Sequence, residues 1–315
     1  MKLVINSSPL WLFACLVCAA TFPAWAQEQA AETLNLKMGA PTAPSLTNSV
    51  AAVAKNPDLG QIAMVQQYPK PETLTISTTQ QFFYTDNVFF TEGNPLGSSA
   101  YLGSYSASYV PYSLADWTPR ITLQYGMVRY DTVPSGDFDY ETLSLSSQYL
   151  FSEDQTWSWT ADIDVSQYTA PHDNNHAFYQ EVVYDNQINK VIPLSNHIPL
   201  FLIGSYDLAY HQANPDAFDR LDNSISFGLI YHPIPTVTIA PFVRPSCRIY
   251  MTNTPVQSER KDFNLSEGID VAWQPVKYAD LSADFINAND YSSAGGQSYN
   301  QSSPGVSLTG EVKFW

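Results

Sequence analysis

Acidic side chains recur at alternate positions in several stretches of this sequence. Asp162 and Asp164 are two residues apart, so on an extended strand both carboxylates lie on one face. A carboxylate pair of this kind can serve general acid–base catalysis, but it can equally form part of a polar wall. The same alternation predicts a larger set of charged residues on that face, namely Asp162, Asp164, Asp222, Asp270, Asp280 and Asp284, with Arg120 as the clearest cation.

Two histidines and an aspartate lie close together between positions 172 and 176. If this loop folded back, His172, Asp173 and His176 could bind one metal ion. No zinc-type spacing, third fixed ligand or calcium-loop motif accompanies them, which favours a solvated loop tip. We therefore expect no metal site and no cofactor.

The composition excludes several classes of protein. The 315 residues are 44% hydrophobic and 14% charged, which argues against disorder throughout the chain. Fourteen basic against 30 acidic residues give a net charge of −16, so we expect no binding of nucleic-acid phosphates. No apolar run is long enough for a bundle of membrane helices.

The first residues predict export. Lys2 precedes an apolar run from Leu10 to Ala20, and Ala24-Trp25-Ala26 fits the small-x-small pattern of a cleavage site. We interpret residues 1–26 as a signal peptide, because the run is shorter than the roughly 20 residues that a spanning helix needs. Cys247 is then the only cysteine of the mature chain, which excludes an internal disulfide. Residues 27–72, rich in Ala, Gln and Pro, are expected to be a periplasmic linker or tail, or a plug segment.

From Thr73 onward the sequence alternates apolar and polar residues with the period of two that indicates β-strands. Ile121, Leu123 and Tyr125, for example, alternate with Thr122 and Gln124. Clusters of turn residues separate the segments. We predict twelve strands, over residues 73–90, 100–112, 119–131, 139–151, 156–169, 177–192, 197–210, 220–231, 236–250, 262–273, 278–287 and 304–315.

The strand lengths and the connections favour a barrel in a membrane. Strands of 9–11 tilted residues can cross a bilayer, and short turns here alternate with longer polar loops. Trp117, Trp157, Trp273 and Trp315 lie near the short turns or the C-terminus, where an aromatic girdle is expected at the membrane interface. The fold class predicted for residues 73–315 is an all-β, antiparallel, up-and-down transmembrane barrel. A soluble β-sandwich or β-solenoid is the competing architecture.

Two short motifs carry a resemblance to a known class of proteins. Val306, Leu308, Val312, Phe314 and Trp315 resemble the C-terminal strand of bacterial outer-membrane β-barrels, in which a terminal aromatic residue is read by the barrel-assembly machinery. Here Phe314 carries the alternating phase and Trp315 lies one position beyond it. The segment Tyr84 to Phe89 is similar to a segment of β-barrel porins. This resemblance implies an outer-membrane channel or an export-associated barrel.

We therefore predict a porin-like channel whose acidic, cation-favouring lumen passes small solutes. Its expected partners are outer-membrane lipid, the barrel-assembly machinery and small solutes, and its oligomeric state is left open. One alternative is a non-conducting envelope barrel. Another is an outer-membrane hydrolase, although no histidine begins the His-x-Ser-Asn-Gly motif of outer-membrane phospholipases and no Gly-x-Ser-x-Gly motif occurs. A Ser–His pair assembled from distant strands stays open at this stage.

Overall fold

The computed structural model describes residues 73–314 except positions 94, 115, 152–155, 174–175, 196–197 and 253–258. The expected signal peptide, the segment 27–72 and Trp315 therefore lie outside the described residues. Twelve strands make up almost all of the rest: β1 Leu74–Thr85, β2 Ser98–Tyr109, β3 Trp117–Tyr130, β4 Phe138–Leu150, β5 Trp157–Ala170, β6 His176–Pro193, β7 Leu200–Asn214, β8 Arg220–Ile234, β9 Val237–Tyr250, β10 Lys261–Val276, β11 Ala279–Ser292 and β12 Tyr299–Phe314. Short 3-10 turns occur at Pro134–Gly136 and Asp216–Phe218.

The strands close into one barrel. Each strand pairs antiparallel with its neighbours in sequence, and β1 also pairs with β12, from Leu74 opposite Phe314 to Phe83 opposite Gly305. This closure confirms the predicted all-β, up-and-down barrel of twelve strands and excludes the sandwich and the solenoid. Within the described part of the chain, no helix is long and apolar enough to cross a membrane.

The two faces of the barrel wall differ in chemistry. Large apolar side chains point outward and stay exposed, as Phe82 at 61%, Leu123 at 59% and Val312 at 55% illustrate. A continuous apolar outer surface of this kind is suited to lipid and unsuited to water. The inner face carries small hydroxyl residues that pair across neighbouring strands, such as Ser77 with Ser106 at 2.7 Å. The alternation seen in the sequence is therefore apolar outside and polar inside.

Several strand ends lie three to five residues from the predicted positions, as at the end of β11, which continues to Ser292 instead of residue 287. Two of the differences occur where β1 pairs with β12. β1 ends at Thr85 instead of residue 90, because the Asn87 side chain turns back to bond the backbone of Thr91. β12 begins at Tyr299 instead of residue 304. Its first polar residues find partners on β1, since Gln301 Nε2 donates to Thr85 Oγ1 at 2.7 Å.

Proline interrupts the ladder of β9 without ending the strand. Pro241 faces outward and has no N–H to donate, and the β8–β9 pairing has no matched residues between Phe242 and Ile239. The strand continues because its other edge stays paired with β10, where Pro241 lies opposite Ile269.

Candidate functional site: the barrel interior

The structure places all seven charged residues selected from the sequence on strand positions that face the interior. Asp162 and Asp164 lie on β5, Asp222 on β8, Asp270 on β10, and Asp280 and Asp284 on β11. All six aspartates are half-buried, whereas Arg120 on β3 is exposed. Whether they line a conducting pore stays a prediction.

An arc of four carboxylates forms on the inner wall of β5, β6 and β7. Asp162 lies directly opposite Asp185 in the β5–β6 register. Asp207 of β7 and Asp164 are close enough to act on Asp185 electrostatically. Like charges this close repel one another, and together the four side chains contribute negative potential to this part of the interior. We name Asp162, Asp164, Asp185 and Asp207 the acidic arc.

Few cations compensate the acidic arc. Arg244 of β9 acts on Asp207 and Asp185, and Arg120 acts on Asp162. Hydroxyl groups supply further hydrogen bonds, from Ser146 to Asp162 and from Ser144 to Asp164. Asp185, Asp207 and Arg244 were not predicted from the sequence, although Asp185 and Asp207 occupy the inward positions in the alternation of β6 and β7.

A second acidic pair lies on the opposite part of the wall. Asp270 of β10 is directly opposite Asp284 of β11. Gln81 Nε2 of β1 donates to Asp284 Oδ1 at 2.9 Å. Asp280 lies further toward the short turns and acts on Asp270. Carboxylates therefore occur on both sides of the interior.

Asp222 belongs to a different arrangement, a buried network of paired charges. Arg220 Nε donates to both oxygens of Asp222, at 3.2 and 3.1 Å. His211 lies between two carboxylates, with Nε2 at 3.3 Å from Asp222 and Nδ1 at 3.2 Å from Glu181. Glu181 also accepts hydrogen bonds from the hydroxyls of Tyr168 and Tyr179. The charge of Asp222 is thus locally neutralised, unlike those of the acidic arc.

A cavity of about 1430 Å³ occupies part of the interior. It is bordered by seven neighbouring strands, from β12 through β1 to β6, and by the end of β7. Only the enclosed interior is bounded by so many strands. Its inner wall carries short polar side chains such as Ser77, Ser106 and Thr142. The cavity extends across the strands along their paired positions, from Glu311 of β12 to Glu181 of β6 and Ala213 of β7.

Apolar and aromatic side chains fill the interior at the end of the barrel where the long loops connect the strands. Phe138 and Val128 are fully buried there, and Tyr130, Tyr140 and Tyr168 are 4–6% exposed. The Tyr140 ring lies across Gly126 of the neighbouring strand, where a Cβ atom would be 2.2 Å from the ring. A smaller apolar cluster of Val191, Phe201, Ile203 and Ile230 lies at the end with the short turns.

The tryptophans chosen as a membrane girdle lie at that same end with the short turns. Trp157 is 39% and Trp273 is 49% exposed on the outer face, and Trp117 donates from Nε1 to Ser147 Oγ at 2.5 Å. Lys190 Nζ lies 4.8 Å from the centre of the Trp157 ring. Trp315 is outside the described residues. The interfacial role of these residues stays a prediction.

The histidine-rich loop forms a structural contact. His172 Nε2 is 2.8 Å from Asp137 Oδ2, and Asp137 Oδ1 accepts the backbone N–H of Tyr130 at 2.7 Å. This contact joins the loop after β5 to the loop after β3. Among the residues that the structure describes, no group of three or more His, Cys, Asp and Glu side chains is arranged to bind a metal ion.

Comparisons with known proteins identify the fold. No protein-family model and no curated protein sequence matches this chain. An outer membrane channel from Pseudomonas putida F1 is similar in structure, with 14% identity, a TM-score of 0.51, and coverage of 77% of this chain and 96% of that one. The translocator domain of the autotransporter NalP from Neisseria meningitidis is 9% identical, with a TM-score of 0.43 and coverage of 91% and 99%. The outer membrane channel DcaP of Acinetobacter baumannii is 10% identical, with a TM-score of 0.38 and coverage of 76% and 96%. The chain thus has the β-barrel fold of outer-membrane channels.

Proposed function

We propose that this protein is an outer-membrane channel for small solutes and that its acidic interior favours cations. In this proposal residues 1–26 direct export and are removed, the segment 27–72 lies in the periplasm or inside the barrel, and the aromatic C-terminal strand is recognised by the barrel-assembly machinery. The apolar outer face contacts lipid, and the tryptophans near the short turns lie at the membrane interface.

The acidic arc is the observation that carries the proposal. Asp162, Asp164, Asp185 and Asp207 lie on three adjacent strands. Arg244 acts on Asp207 and Asp185, and Arg120 acts on Asp162. Carboxylates on the wall of a narrow, low-dielectric passage concentrate cations and repel anions. Asp270 and Asp284 add negative charge from the opposite side of the wall.

A non-conducting envelope barrel is the second candidate function. It is favoured by the filled interior beside the long loops, where Phe138, Tyr168 and Arg220 are 0–4% exposed. A barrel permanently closed at that point would not conduct, whatever the charge of its wall.

An enzymatic role has less support from the side chains. Among the histidines that the structure describes, His211 is the most buried, at 6% exposure, and carboxylates contact both of its ring nitrogens. It therefore has no free nitrogen to take a proton from a nucleophile or a substrate. We propose that the barrel is not an enzyme.

Ion selectivity in planar bilayers tests the proposal. Under a KCl gradient the purified chain should give a reversal potential that favours K⁺ over Cl⁻. The double variant Asp162→Asn, Asp164→Asn should move this potential toward zero, because two charges leave the arc while the side-chain shapes are kept. The matched control is Asp139→Asn, since Asp139 occupies an outward-facing position on β4 and is paired with Arg129. Anion preference in the unaltered channel, or an equal shift in the control, would contradict the proposed role of the arc.

A further inference from the structure

The interior of the barrel is closed all around beside the long loops. Inward side chains at this end are buried on every strand, and Phe138, Tyr168, Glu181, Arg220, Asp290 and Gln301 are representative at 0–5% exposure. Inward residues nearer the middle, such as Asp162 and Thr142, are only half-buried. The interior is thus open in its middle and sealed toward the long loops.

The seal consists of two chemically different halves. One half is an apolar and aromatic cluster, formed mainly by β1 to β5, that includes Phe83, Val128 and Phe138 and continues to Tyr179 of β6. The other half, from β6 to β11, is a set of paired charges, including Arg220 with Asp222 and Arg260 with Asp262. The halves meet between β5 and β6, where the hydroxyls of Tyr168 and Tyr179 donate to the two oxygens of Glu181 at 3.2 and 3.1 Å. We name Tyr168, Tyr179, Glu181 and His211 the seam.

The seam is also the boundary of the open interior on the side of the long loops. The cavity of about 1430 Å³ reaches Glu181 and Ala213, which lie opposite each other on β6 and β7. Displacing the Glu181 side chain would therefore connect the cavity to the space beside the long loops. Water can replace the hydrogen bonds to Glu181 during such a movement, whereas it cannot replace the packing of the apolar half.

The backbone is irregular at the same place. The β5–β6 register shifts between Tyr168 and Thr169, two residues before β5 ends. A bulge disrupts the local ladder, leaves the extra residue unpaired and bends the strand. The loop after β5 starts immediately beyond, at residue 171.

We propose that the seam is the gate of this barrel: the interior is closed at rest, and it opens where Tyr168 and Tyr179 separate from Glu181 and His211. The inference rests on the proposed channel function and adds where and how the channel is controlled. Opening requires only side-chain movement and a shift of the β5 end, so the barrel itself stays intact.

Single-channel recording on the reconstituted full chain tests the gate. Glu181→Ala removes the group that accepts both tyrosine hydroxyls, and the Tyr168→Phe, Tyr179→Phe double variant removes the hydroxyls while keeping the rings. We expect Glu181→Ala to raise the open probability about tenfold or more, because a hydrogen bond to a charged group contributes at least as much as the free energy of a tenfold change. The double variant should give a smaller rise. Gln301→Ala, which removes a buried hydrogen bond on the far side of the seal, is the matched control and should leave the open probability unchanged.

Thiol labelling gives an independent readout. In a Cys247→Ser background, a cysteine is introduced by Thr160→Cys, since Thr160 has inward parity on β5 on the far side of the acidic arc from the seam. A membrane-impermeant thiol reagent added on the long-loop side should label it slowly, and Glu181→Ala should speed labelling about as much as it raises the open probability. Heat-modifiable gel mobility verifies that each variant is folded.

The outcomes separate the gate from the channel. Frequent openings of the unaltered protein that neither seam variant changes would overturn the gate and leave the channel standing. An equal rise in Gln301→Ala would overturn the location of the gate. Faster labelling without current would support the gate and overturn the channel, and folded variants that neither conduct nor label faster would overturn both.

Discussion

The contact between Tyr140 and Gly126 makes the seal sensitive to a single methyl group. The two residues are directly opposite on β4 and β3, and the hydroxyl end of the Tyr140 ring lies over the glycine. In the Gly126→Ala variant the new Cβ would be 2.2 Å from the ring, whereas ordinary van der Waals contact begins at 3.4 Å. The ring must therefore move by roughly the difference of 1.2 Å between these distances.

The packing around Tyr140 sets the cost of that movement. The ring is 4% exposed, and its centre lies 6.4 Å from that of Phe138 and 6.2 Å from that of Tyr168. Its hydroxyl accepts a hydrogen bond from Gln124 Nε2 at 3.2 Å. Overpacking of a filled interior costs about 1–3 kcal/mol, and loss of the hydrogen bond adds about 1 kcal/mol. We expect Gly126→Ala to lower the free energy of unfolding by about 2–4 kcal/mol in total.

Urea unfolding of the barrel in lipid vesicles, followed by tryptophan fluorescence, measures this loss. Gly204→Ala is the matched control, because Gly204 lies on β7 with no atom within 4 Å of an added Cβ. The control should be neutral or slightly stabilising, since alanine is less flexible than glycine in the unfolded chain. Equal unfolding midpoints for the two variants would refute the argument that Tyr140 is held against Gly126.

Two further predictions concern charge. Arg244→Gln removes a cation that acts on Asp207, so it should shift the reversal potential in a KCl gradient further toward the K⁺ limit. An unchanged reversal potential would show that Arg244 does not face the pathway. Asp137→Ala leaves the buried N–H of Tyr130 without its acceptor and should lower the free energy of unfolding by about 1–3 kcal/mol. His172→Ala should change it by no more than about 0.5 kcal/mol because that ring is largely exposed; similar losses in urea unfolding would contradict this ranking.

The strands could be predicted because the physical signal repeats along the whole barrel. Every crossing strand has one face in an apolar medium and one in a polar interior, so residues such as Leu143 and Leu145 alternate with Thr142 and Ser144. Strand ends were less predictable. Polar residues at the start of β12 look like loop residues in the sequence. They join the strand because β11 pairs with them and β1 shares side-chain hydrogen bonds with them.

Only Asp162 and Asp164 of the acidic arc were predicted from the sequence. Asp162 and Asp164 stand out because Ile163 and Val165 flank them with clear apolar outer positions. Asp185 is harder to recognise, because the polar residues Asn186 and Gln187 follow it and obscure the alternation. The gate was not predictable at all, because Tyr168, Glu181 and His211 come from three strands and their contact depends on the register.

The pairing of β1 with β12 has a consequence for how the molecule forms. Thr79 and Thr309 bond through their hydroxyls at 3.0 Å although 230 positions separate them along the chain. Contacts this distant in sequence have the largest entropic cost of loop closure, so they are expected to form last. Until then both terminal strands present open edges that can pair with other chains. Folding of this barrel therefore depends on protecting β1 while the other eleven strands assemble.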